Sequence, residues 1–64
     1  MFAIGDFIVE RGGWRAPASF GVVMGLDVDS NGEQLLNVQF PTDRSYAFAS
    51  HCQHYQDWLN ENGF

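Results

Sequence analysis

The stretch from Phe20 to Phe40 leaves this chain few choices of fold. Val22, Met24, Leu26 and Val28 recur at every second position, the period that sends side chains to one face of a β-strand. That spacing predicts a strand whose core-facing row is made of those residues. Asp27, Asp29, Ser30, Asn31, Gly32 and Glu33 follow, and Asn31-Gly32 is a dipeptide that accepts the positive φ angles of a tight hairpin turn. Leu36, Val38 and Phe40 restore the alternation on a return strand, until Pro41 removes a backbone donor and ends regular pairing. A hairpin with one apolar face is marginal in water by itself, so the remaining segments must cover that face.

Those segments divide readily. Gly5-Asp6 is a turn pair, and Phe7-Ile8-Val9-Glu10 continues it as a first strand rich in β-formers. Arg11 to Ser19 carries two glycines and a proline and shows no period, so it reads as a loop of the kind that often forms a binding surface. Pro41-Thr42-Asp43-Arg44 is a second turn. Tyr46 and Phe48 then alternate with Ala47 and Ala49 as a fourth strand, whose small residues allow close packing or a partner. Beyond it, Ser50 suits a helix cap, and Cys52, Tyr55, Trp58 and Leu59 fall on one helical face, with Gly63 placed just past the end. A helix from His51 to Asn60 accounts for this. The competing reading is a single 3₁₀ turn over Ser50 to His54 followed by a closing fifth strand over Gln56 to Leu59; both bury Tyr55 and Trp58.

With 64 residues the chain has room for one domain, near the size at which a single core holds without staples. We divide it into a barrel over about residues 4–50 and a helical segment over about 50–62. Ten aromatic residues make the core feasible, since six are Phe, two Tyr and two Trp. Cys52 is the lone cysteine, so no intrachain disulfide forms and a reducing, cytoplasmic setting is expected. No run of residues approaches the length of a membrane span, and the N-terminal residues lack the pattern of a secretory signal. Three basic residues against eight acidic ones give a net charge of −5, which repels duplex nucleic acid and suits a protein partner with a basic surface.

Gly5-Asp6-Phe7-Ile8-Val9, Gly21-Val22-Val23, Leu36-Asn37-Val38-Gln39-Phe40-Pro41 and Tyr46-Ala47-Phe48 together resemble SH3-like barrels of the Tudor and KOW type. The pattern is also similar to the small Tudor-like domain at the C-terminus of bacterial DNA-repair helicases. The resemblance implies an all-β fold, a small antiparallel barrel of four to five strands with a short C-terminal helix, and a module that binds proteins or nucleic acids. It implies no catalytic residue. Two features depart from the helicase pattern, namely the Gly- and Trp-rich loop from Arg11 to Ser19 and the tail from Gln56 to Asn62.

Several clusters carry candidate chemistry. Arg11, Trp14 and Arg15 set two guanidinium groups around an indole, a combination enriched at binding hot spots and able to stack on single-stranded bases. Trp14 has an equally ordinary role folded over the end of a small core. Tudor-type barrels bind methylated cations in an aromatic cage, and Trp14, Phe20, Tyr46 and Phe48 are its candidates here, with Asp27 or Asp43 nearby; core roles for most of them compete with this. Trp58, Leu59 and Phe64 in the tail are candidates for a contact between copies of the chain.

His51-Cys52-Gln53-His54 offers too few ligands for a structural zinc, and Asp27, Asp29 and Glu33 lack the distant bidentate Glu of a calcium loop. We therefore expect neither metal nor cofactor. Cys52 with a flanking histidine would need an oxyanion site in a cleft, for which a chain of this size has little room, so no enzyme is expected. The expected function is a non-catalytic binding or self-associating module, a regulator or inhibitor of a protein with a basic face. The alternatives are a single-strand nucleic-acid binder using Arg11, Trp14 and Arg15, and an enzyme whose site is shared between subunits.

Overall fold

The computed structural model describes residues 1–12 and 18–63. Trp14 and Arg15, most of the early loop, and Phe64 lie outside the described residues. The chain runs through β1 (Phe7–Arg11), β2 (Ala18–Val28), β3 (Gln34–Gln39), β4 (Arg44–Phe48), a 3₁₀ turn (Ala49–His51), β5 (Cys52–His54) and α1 (Tyr55–Glu61). Among the described residues all pairings are antiparallel, and five strands form one sheet in the order β4-β3-β2-β1-β5. Among the described residues no ladder joins β4 to β5, so the sheet is open and its two edges are linked by the 3₁₀ turn.

One sheet acquires a core by bending over itself. Ile8 of β1 and Ala47 of β4 belong to a single buried cluster with Val23, Leu36, Val38 and Phe40, although two strands separate β1 from β4 in the sheet. Two devices in β2 make the bend. At Gly21 an added Cβ would run into Val38 Cγ1 and lie 2.9 Å from the Gln39 carbonyl oxygen, so only glycine lets β3 fold in that closely. Three residues on, the β2–β3 register slips between Val23 and Gly25, leaving Met24 as the extra residue of a β-bulge.

The bulge overturns the expected phase of β2. Val23, opposite Val38, is completely buried, and Val22 lies in the opposite row with Phe7 and Gln39. Met24 sits in the bulge and is exposed. Leu26 does share a row with the buried Leu36, but it remains 48% exposed, and Val28 beyond it is 60% exposed. The row expected for β3 holds, as Leu36, Val38 and Phe40 are all buried. The reversal between them is also where Asn31-Gly32 places it. Only Gly32 takes a positive φ, of 82°, so the turn is wider than a two-residue hairpin. The Asp29 carboxylate holds it, accepting the Asn31 and Glu33 backbone N–H groups at 2.8 and 2.9 Å.

The tail differs from both sequence expectations. Cys52–His54 is a strand on β1, the 3₁₀ turn comes before it, and the helix starts at Tyr55. Ser50, the expected helix cap, lies in the 3₁₀ turn. Cys52 pairs with Glu10 and packs toward the main core, whereas Tyr55 and Trp58 reach the other face of the sheet. There α1 packs on β1 beside Phe20 and Val9, and Val9 is completely buried on that side. The Trp58 indole meets the Phe20 ring edge-on at 5.1 Å, and Asn62 closes the helix by donating to the Trp58 carbonyl from its backbone at 3.0 Å and its side chain at 2.8 Å.

Crowding at Gly21 predicts that Gly21→Ala destabilises the fold by roughly 1–3 kcal/mol. Gly25→Ala, whose new Cβ would meet nothing nearer than Asn37 Cβ at 3.6 Å, is the control. Urea unfolding should separate the two variants, and coincident midpoints would refute the close approach of β3.

Candidate functional site

Two recesses flank the C-terminal end of β1. One, of about 350 Å³, is lined by Glu10, Gly12, Leu35, Tyr46, Ala47, Phe48 and His51. The other, of about 450 Å³, lies beside Arg11, Ser50, His51, Cys52 and Gln53. His51 stands between them, its ring meeting Phe48 edge-on at 5.7 Å.

Side-chain direction in the first recess follows from the β4 alternation. Ala47 is buried against the core, so its neighbours Tyr46 and Phe48 are turned outward, 54% and 39% exposed. Register sets their company. Phe48 stands opposite Leu35, which stands opposite Asp27, and Tyr46 stands opposite Asn37, then Gly25. A carboxylate thus shares the row of an exposed aromatic on an edge strand, an arrangement that favours a cation resting on the ring. Phe20 takes no part in it, because its ring is held edge-on by Tyr55 and Trp58 beneath α1. An aromatic cage containing Phe20 with Tyr46 and Phe48 is therefore not assembled.

Arg11 is occupied within the chain. Its Nη1 donates to Gln53 Oε1 at 2.9 Å and to Glu61 Oε2 at 3.4 Å, joining β1 to β5 and α1. Both partners of the ion pair are more than half exposed, so its contribution is at most about 1 kcal/mol. Trp58 and Leu59, expected at a contact between copies, are half-buried in α1.

The histidines and Cys52 diverge. His54 Nε2 lies 3.0 Å from Asp6 Oδ2, and its ring stacks on Phe2 at 4.6 Å. The Ala3 N–H, and then His54, hold the Asp6 carboxyl below its ordinary value of 3.8. Burial, with the Glu10 carboxylate adding to it, pushes the Cys52 thiol up from 9.0 to about 11. At neutral pH it remains a thiol, which is a poor nucleophile and a poor metal ligand. Among the described residues no three His, Cys, Asp or Glu side chains converge where a metal ion would sit. No helix among those residues is long and apolar enough to cross a membrane.

Compared with protein-family models, with curated proteins and with solved structures, the chain matches none. The reading of the site therefore rests on its geometry.

Two consequences can be measured. Because the folded-state pKa of Cys52 lies above the unfolded one, its share of stability is intact below pH 9 and is lost as the pH rises toward 11. Wild-type stability should fall over that interval more steeply than that of Cys52→Ala, and parallel profiles would argue against a buried thiol. Glu61→Gln should shift the unfolding free energy by less than about 1 kcal/mol, as expected for an exposed ion pair; a larger loss would show that Arg11 anchors α1.

Proposed function

We propose that this chain is a non-catalytic interaction module that binds a protein with a basic face through the exposed pair Tyr46 and Phe48 on β4. The observation that carries the reading is the outward turn of both aromatics on a sheet edge, with Leu35 and Asp27 in the Phe48 row. Aromatic anchors beside a carboxylate suit a lysine or arginine side chain, which offers both an apolar stem and a charge. The net charge of −5 adds attraction at longer range. A strongly bent five-strand sheet whose edges are linked by a 3₁₀ turn supports an SH3-like, Tudor-type architecture.

The role we assign is that of a regulator or inhibitor occupying the basic surface of its target, in the cytoplasm. A thiol kept protonated beside one of the recesses supports binding over catalysis. Use of the Trp58 ring inside the chain favours a foreign partner over a dimer made by the tail. Engagement of Arg11 by Gln53 and Glu61 weighs against a nucleic-acid site built on that residue.

Affinity capture from an extract of the source organism, followed by titration of the purified partner, tests the proposal. Tyr46→Ala and Phe48→Ala should each weaken binding by about 1 kcal/mol or more without lowering the unfolding midpoint, and salt should weaken the wild type. Capture of the same partners by the double variant would overturn the assignment.

A further inference from the structure

The β2–β3 hairpin carries a second unpartnered surface on its other face. Leu26 stands opposite Leu36, so it belongs to the inward row that forms the core, as does Val28 two residues further on. Leu36 is completely buried, whereas Leu26 and Val28 are 48% and 60% exposed. The sheet thus bends over the inner ends of these strands and leaves the outer end of the same apolar row uncovered.

We infer that this ledge of Leu26 and Val28 docks a basic amphipathic segment of a partner protein. Charge selects the occupant. Asp27 and Asp29 alternate in sequence with the ledge residues and so belong to the outward row, Glu33 ends the turn, and the sequence has no lysine, arginine or histidine between Arg15 and Arg44, so this end of the hairpin carries acids and no base. A field of that sign repels nucleic acid and anionic membrane surfaces. It equally opposes a second copy of this chain, which would bring the same carboxylates together. A segment with lysine or arginine around leucine-like side chains meets both demands, since its apolar residues cover the ledge and its cations sit in the acidic field of this end of the hairpin.

The inference extends the function proposed above and rests on that reading for the sign of the partner's charge. Its site is distinct, because the ledge lies in the inward row of the sheet while Tyr46 and Phe48 lie in the outward one. Side-chain methyl and ring spectra of the isotopically labelled full chain therefore separate the two. The probe is an end-blocked helical peptide of leucine and lysine, with leucine–glutamate and serine–lysine peptides as controls. The leucine–lysine peptide should move the methyl signals of Leu26 and Val28, and neither control should do so.

A Leu26→Ser/Val28→Ser double variant, altered only at exposed positions and checked for an otherwise unchanged spectrum, should bind about tenfold more weakly or worse. Equal binding by the serine–lysine peptide would reduce the effect to unspecific charge and overturn the inference. Shifts confined to Tyr46, Phe48 and their neighbours would overturn the ledge and leave the β4 reading standing. Ledge shifts without β4 shifts would support the ledge and count against β4. No shift at either place would count against both. Shifts at Leu26 and Val28 on simple concentration of the free chain would assign the ledge to a second copy and overturn the foreign partner.

Discussion

The bend of β2 is the constraint from which the rest of the structure follows. A lone antiparallel sheet has two faces and must bury at least one, and among the described residues there is no second sheet to lay against it. Gly21 removes the Cβ that would hold Val38 away, and the bulge after Val23 adds local twist, so the two halves of the sheet meet across Ile8, Val38 and Ala47. Everything buried on that side depends on an approach that any larger residue at position 21 would obstruct.

Bending also makes the outer face uneven. Near β1 it is roofed by α1, and Val9 is as fully buried there as Ile8 is on the inner side. Toward β4 no described element roofs the same face, and Tyr46 and Phe48 are exposed. The helix is short, with its apolar side chains concentrated at Tyr55, Trp58 and Leu59, so it covers only the strands nearest to it. Structural burial and candidate binding surface thus divide one sheet between them, and the position of α1 sets the division.

Much of this was legible in the residues, and the failures have local causes. Regular alternation placed β3 and its buried row, the reversal near Gly32, the strand over Tyr46 to Phe48 and the close packing of Ala47. The phase of β2 was misread because a bulge inserts one residue without breaking the run of apolar letters. Gly25 was the one visible sign, since a glycine inside a strand often marks a bulge. In the tail, β5 is too short for any period to show, so Cys52 was counted with a helical face that begins only at Tyr55. Phe20 was grouped with Tyr46 and Phe48 because nothing local reveals where α1 will dock. Pairings between neighbours in sequence could be read, and those between distant segments could not.

The pairing of β1 with β5 also gives the molecule a history. The run from β2 through β3 to β4 is a meander of contacts between successive strands, which can close early and at small entropic cost. β1 has one neighbour in that meander and another, β5, that the ribosome delivers only after all the intervening strands. Until then the edge of β1 presents bare backbone groups, and Val9 lacks the helix that roofs it. The nascent chain therefore passes through a stage in which β1 is an adhesive edge, and the arrival of β5 and α1 is what makes that strand inert.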